Sequence, residues 1–196
     1  MKLCVFQGTF NPIHKAHLRV VKFVIDNYNF DKIMVIPALN PPHKDLNPEM
    51  SKHRFNMTKI AFKGWDNVEV SDIEFQRNEK SYTYITICEL YEKYQIEDKI
   101  NFIIGTDAFQ NIEGWYETDK LKKLVKFIVF EREENFSPLK YDYLKEKGYE
   151  FEIQPLEFED VSSSELRDYI KKGENISLYL PQKVKEYIDE YCLYRN

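Results

Sequence analysis

Six short β-prone runs, some apolar throughout and some alternating apolar with polar, are spaced along this chain with helical-period stretches between them, and that order constrains the fold more than any other feature. The runs are Lys2 to Phe6, Lys32 to Pro37, Val68 to Phe75, Ile100 to Ile104, Phe127 to Phe130 and Phe151 to Pro155. After the first, Leu18, Val21, Phe23, Val24 and Ile25 recur at the spacing of a helix face that opens near Lys15. Further helices are expected from Ser51 or a neighbour through Phe62, over Tyr84 to Tyr94, and over Asp119 to Leu124. Two more, Ser163 to Lys172 and Gln182 to Tyr191, close the sequence. A helix between successive strands is what a parallel crossover requires, and runs this apolar suit strands buried on both faces. The pattern predicts an α/β chain with a doubly wound, mostly parallel sheet, helices on both faces and a small helical C-terminal part.

Such a Rossmann-like sheet binds its ligand beyond the C-terminal strand ends, where strand order reverses. The loops expected there begin at Gly8 and at Gly105. A chain of 196 residues, 43% of them hydrophobic, can bury one substantial core, and no repeat or Gly/Ser linker divides it. Residues 1–196 are therefore expected to form one domain. No run of eighteen apolar residues occurs and the N-terminus lacks signal-peptide order, so a soluble, cytoplasmic protein without membrane contact is expected. Cys4, Cys88 and Cys192 are isolated and odd in number, which argues against a disulfide framework or a zinc knuckle. A formal charge of −5 disfavours RNA or DNA as partner but is compatible with a local cationic pocket for one nucleotide.

The segment Gly8-Thr9-Phe10-Asn11-Pro12-Ile13-His14-Lys15-Ala16-His17 joins the first strand to the first helix. A glycine lets backbone amides approach a ligand, and a helix start offers unpaired N–H groups to an anion. Two histidines three apart on that helix would present both imidazoles from one face to phosphoryl oxygens. Taken alone, His-x-x-His is more often a core filler beside a surface residue, and no third ligand at metal spacing accompanies it. The whole string, however, resembles the signature of the nucleotidyltransferase superfamily related to class I aminoacyl-tRNA synthetases, Gly-Thr/Ser-Phe-Asp-Pro-x-His-x-Gly-His. Asn11 replaces the usual Asp, and Ala16 the usual Gly.

Far along the chain, Val161-Ser162-Ser163-Ser164-Glu165-Leu166-Arg167 is similar to that superfamily's Ile-Ser-x-Thr-x-Ile-Arg motif. Ser162 or Ser164 can cap the helix and present hydroxyls to phosphates, and Arg167 supplies a forked cation one turn in. Three further stretches resemble the bacterial nicotinate-mononucleotide adenylyltransferases: Pro41-Pro42-His43-Lys44, Ser81-Tyr82-Thr83, and Gly105-Thr106-Asp107 followed by Trp115-Tyr116. The resemblance covers nearly the whole chain. It implies that Lys44 meets nucleotide phosphate, that Trp115 stacks on a pyridine ring, and that Thr83 with a main-chain amide beside Tyr116 binds the ring carboxylate. Asp107, at a strand end, is well placed to accept from ribose hydroxyls.

The implied reaction moves AMP from ATP to the 5′-phosphate of nicotinate mononucleotide by direct in-line displacement, releasing pyrophosphate. His14, His17 and Arg167 are the expected catalytic residues. Gly8, Thr9, Phe10, Gly105, Asp107, Ser162 and Ser164 complete the expected ATP site, and Mg2+ is expected to arrive on the triphosphate rather than in a protein cage. Nicotinamide mononucleotide or phosphopantetheine is the alternative acceptor. A non-catalytic nucleotide sensor is the alternative outside enzymes, and it would be expected to lose a histidine or Arg167.

Overall fold

The computed structural model describes residues 1–42, 47–77, 79–131, 138–156 and 161–195. The six strands are β1 (Leu3–Gly8), β2 (Lys32–Pro37), β3 (Val68–Val70), β4 (Ile100–Gly105), β5 (Val125–Phe130) and β6 (Phe151–Gln154). They form one sheet in the order β3-β2-β1-β4-β5-β6, and every described pairing is parallel. The helices are α1 (Lys15–Asn27), α2 (Pro48–Ala61), α3 (Thr83–Lys93), α4 (Thr106–Phe109), α5 (Thr118–Leu124), α6 (Asp142–Glu146), α7 (Ser163–Lys172) and α8 (Gln182–Glu190).

Alternation within each strand builds two cores. Cys4, Phe6, Val35, Ile103, Ile128 and Phe130 face one side, against Val20, Val21 and Val24 of α1, Met57 of α2, Leu166 of α7 and Val184 of α8. Leu3, Val5, Met34, Phe102, Phe127 and Val129 face the other, against Ile87 and Leu90 of α3, Leu121 of α5 and Leu144 of α6. β1 and β4 are neighbours at the centre of the sheet. The helix that follows β1 packs on the first face and those that follow β4 pack on the second, which opens a crevice above the ends of these two strands. The loop after Gly8 lies at that end of the sheet, and at Gly105, where a loop was expected, β4 passes directly into α4.

The structure departs from the sequence expectations in three places. The strand expected over Val68 to Phe75 pairs only as far as Val70, and Ile73–Gln76 is a 3-10 turn. Apolar alternation at Ile73 and Phe75 imitates a strand, but Ile73 and Glu74 are both buried, a consecutive pair that period-two geometry does not allow in a one-sided strand. Helix α2 starts before Ser51: Asn47 accepts a hydrogen bond from the Glu49 N–H at 2.9 Å and Pro48 occupies the first turn. Helix α6 and the 3-10 turns at Ile112–Gly114 and Pro138–Tyr141 are too short to leave a periodic trace. The three cysteines are free, with Cys4 in the core, where burial pushes its thiol well above the usual range. No helix among the described residues is long and apolar enough to cross a membrane.

Candidate active site

The loop after β1 turns back on itself over its own aromatic floor. Phe10 adopts φ 47°, and a Cβ placed on Gly8 would lie 2.8 Å from the Phe10 ring, so this position needs glycine for close approach. The Phe10 ring is 2% exposed and packs edge-on against Phe6 and His17, with centroids 5.2 and 5.1 Å away. The Phe10 ring therefore supports His17 from below and is not itself open to solvent.

The two histidines meet, though not as one helix face. Helix α1 begins at Lys15 and His14 is its N-cap, in extended conformation. The His14 carbonyl accepts from the His17 N–H at 2.9 Å, and the His14 N–H donates to His17 Nδ1 at 3.2 Å. The rings lie 3.8 Å apart. Because Nδ1 accepts from the His14 N–H, a neutral His17 carries its proton on Nε2. His14 is 1% exposed, whereas His17 is partly exposed.

The distant serine-rich motif joins this loop directly. Ser162 caps α7 in a reciprocal box: its hydroxyl accepts from the Glu165 N–H at 3.2 Å and its own N–H donates to Glu165 Oε2 at 2.8 Å. The Ser162 hydroxyl, with that N–H, holds the Glu165 carboxyl below the usual range. Ser163 donates to the Pro12 carbonyl at 3.0 Å, and Arg167 Nη1 donates to the Asn11 carbonyl at 2.8 Å. Arg167 Nη2 reaches the Ser164 hydroxyl at 3.2 Å, so Ser164 steadies the guanidinium and Ser162 is the cap. Asn11 Oδ1 accepts from the Tyr194 hydroxyl at 2.7 Å, and the Lys15 N–H donates to the Tyr179 carbonyl at 2.8 Å. With an amide in place of a carboxylate, Asn11 accepts the tyrosine hydrogen bond without adding a negative charge to the loop.

Sequence reasoning missed Arg54, which is 0% exposed beneath the loop. It donates to the carbonyls of Thr9 at 2.7 Å, Ala38 at 2.6 Å and Leu39 at 3.1 Å, and to the Ser51 hydroxyl at 3.2 Å. It thereby stitches the loop after β1 to the loop after β2. Burial pulls its guanidinium down to about 10, so it remains a cation at neutral pH. A signal existed: Arg54 shares the buried stripe of α2 with Met57, Thr58 and Ala61, at intervals of three, four and seven.

Next to the end of β2, Ser81 is locked to Asn40, its N–H donating at 2.9 Å and its hydroxyl accepting from the Asn40 N–H at 2.8 Å. Thr83, the first residue of α3, donates its hydroxyl to Gln7 Oε1 at 2.8 Å, which joins it to the end of β1. Tyr82 and Tyr116 stack with centroids 4.5 Å apart, and Tyr116 is 48% exposed. Trp115 sits edge-on to Phe102 at 6.2 Å and is only partly buried. Gly105 caps α4, Thr106 is buried, and the Asp107 side chain lies in the exposed part of that short helix. Lys44 lies outside the described residues. Hydrogen bonds thus unite Gly8 to His17 with Ser162 to Arg167, and Gln7 and Tyr82 tie Thr83 and Tyr116 to the same strand ends. Among the described residues, no group of three or more His, Cys, Asp or Glu is placed to hold a metal ion.

Comparison with known proteins follows the same lines. A family model described as cytidylyltransferase-like matches residues 5–169. A Clostridium tetani protein described as a "Probable nicotinate-nucleotide adenylyltransferase" is 38% identical over 200 residues, covering 99% of each chain. A Fusobacterium nucleatum protein with the same description is 37% identical over 191 residues, covering 97% of this chain and 98% of its own. Among solved structures, Plasmodium falciparum nicotinic acid mononucleotide adenylyltransferase complexed with NaAD aligns with a TM-score of 0.79 at 26% identity, covering 98% of this chain and 97% of that one. The same enzyme complexed with APC aligns with a TM-score of 0.75 at 25% identity, over 98% and 96% of the two chains.

Proposed function

The chain belongs to the cytidylyltransferase-like family and, within it, to the nicotinate-nucleotide adenylyltransferases, and from that premise we propose how its own residues carry the reaction. The enzyme transfers AMP from ATP to nicotinate mononucleotide, giving nicotinate adenine dinucleotide and pyrophosphate in NAD biosynthesis. The observation that carries the residue assignment is the junction between the loop after β1 and the start of α7. It puts the His17 imidazole, the Arg167 guanidinium and a helix N-terminus on one loop.

The attacking 5′-phosphate is already an anion, so the protein has no nucleophile to generate. Catalysis then rests on alignment and on stabilising charge at the α-phosphoryl group and the departing pyrophosphate. In this reading His17 donates from Nε2 to the phosphoryl oxygens and Arg167 neutralises the leaving group, with Ser164 steadying the guanidinium. His14, buried and bonded to His17 through its N–H, is a positioning residue. Gly8, Thr9 and Phe10 supply backbone, Asp107 accepts from ribose hydroxyls, and Lys44 steers the mononucleotide phosphate. Trp115 and Tyr116 border the pyridine subsite, where the Tyr116 N–H, which meets no acceptor among the described residues, is a donor for the ring carboxylate. Magnesium carried by the triphosphate would supply neutralisation of phosphoryl charge, and Asp107, exposed on α4, is a carboxylate that could meet it there. Residues 1–196 act as one nucleotidyltransferase domain, because α7 and Tyr194 complete the site built on β1.

Replacing His17 with Ala tests this assignment. Turnover should fall by about 10² to 10³, while the Kd for ATP changes by only about threefold, because the lost bond strengthens in the transition state. Unchanged turnover would remove His17 from the chemistry.

A further inference from the structure

We propose that Gln7 fixes the direction of the hydrogen bond made by Thr83 and so limits how strongly this enzyme distinguishes nicotinate from nicotinamide mononucleotide. The inference rests on the acceptor reading above and asks what Thr83 can offer the pyridine substituent. Its origin lies outside the motifs, in Gln7, one residue before Gly8, and in a buried carboxylate. Glu74 is 1% exposed, and its oxygens accept from Thr86 Oγ1 at 2.7 Å, the Leu39 N–H at 3.1 Å and Arg77 Nη2 at 3.4 Å. Gln7 Nε2 donates to the same Glu74 Oε1. A carboxylate ringed by donors and paired with an arginine accepts and does not donate. It therefore dictates which end of the Gln7 amide faces it.

With the Gln7 NH2 turned to Glu74, the Gln7 carbonyl Oε1 is what meets Thr83, 2.8 Å from Oγ1. A carbonyl only accepts, so the single hydroxyl proton of Thr83 is committed to Gln7. What remains to Thr83 is lone-pair density. Lone pairs accept from the N–H of a carboxamide and repel a carboxylate. Thr83 in this chain thus favours the amide, and selection for the acid falls to other donors such as the Tyr116 N–H. Without Gln7 the hydroxyl would turn and donate to the carboxylate, a charge-assisted bond of the stronger class.

The test compares kcat/KM for nicotinate and nicotinamide mononucleotides at saturating ATP, in wild type, Gln7→Leu, Thr83→Val and the double variant. Gln7→Leu should raise the acid-to-amide ratio by about tenfold, the size expected when one hydrogen bond to a charged group is gained. Adding Thr83→Val should cancel that rise. Thr83→Val alone should leave the ratio level or higher, since the group lost serves the amide. A purely structural role for Gln7 would lower both rates together and leave the ratio where it was. An unchanged or lower ratio in Gln7→Leu overturns the proposal, and so does a fall of about tenfold in Thr83→Val. If Gln7→Leu does not fold, the direction of the Thr83→Val change decides alone. Wild-type protein that adenylylates neither mononucleotide would remove the acceptor reading itself. Wild-type transfer with the opposite ratios removes only the role given to Gln7.

Discussion

At the scale of single residues, the loops of the site are held by side chains buried beneath them. Arg54 is the strongest case, a buried cation whose described hydrogen bonds run to three carbonyls and a hydroxyl rather than to a carboxylate. Removing it strands those carbonyls in the interior, and a buried acceptor without its donor costs about 1 to 3 kcal/mol. Arg54→Met, which keeps the volume, should lower unfolding stability by about 3 kcal/mol in urea titrations and raise the KM for ATP as the Thr9 carbonyl loses its anchor. A loss below about 1 kcal/mol would mean that water replaces the guanidinium. The motif residues were legible because their chemistry recurs as a string. Arg54 and Gln7 were not, because a charged or amide residue reads as surface until its burial is known. The histidine pair was half legible: spacing placed the rings together, but did not show that His14 stands outside the helix and directs its N–H at His17.

At the scale of elements, helix α7 shows how local chemistry serves a distant loop. Its capping box closes the first turn and so aims Ser163 and Arg167 at the carbonyls of Pro12 and Asn11. Ser162→Ala should cost about 1 kcal/mol at neutral pH, the usual worth of an N-cap. The cost should depend on acidity in a defined direction. Ser162 holds the folded Glu165 carboxyl below its unfolded value, so this contribution is complete above the unfolded value and is lost as pH falls through the folded one. The stability difference between wild type and Ser162→Ala, followed by urea unfolding, should therefore shrink as pH falls through the folded Glu165 value, down to the part carried by the Glu165 N–H bond to the Ser162 hydroxyl. A constant difference across that range would show that the cap works without the glutamate. Strands β2 and β5 announced themselves because, apart from Lys32 and Lys126, their residues are apolar and buried. The stretch after Val70 misled because its alternation carries a glutamate that is buried for hydrogen bonding rather than exposed.

At the scale of the whole molecule, the fold follows from the order of its parts. Parallel strands that alternate with helices bring β1 beside β4, and the first and last motifs meet although more than 150 residues separate Asn11 from Arg167. The class of the fold was readable from periodicity. The strand order was not, because nothing local in a run of valines and isoleucines records its neighbour. The acceptor is the point at which this account is most exposed, since the triphosphate machinery alone would serve other substrates. The most direct test is therefore to incubate the purified protein with ATP and magnesium and each of nicotinate mononucleotide, nicotinamide mononucleotide and phosphopantetheine, measuring pyrophosphate and the adenylylated product. The account predicts equimolar pyrophosphate and nicotinate adenine dinucleotide, with the nicotinate substrate giving the highest kcat/KM. Silence with nicotinate mononucleotide, or transfer to phosphopantetheine in its place, would contradict it.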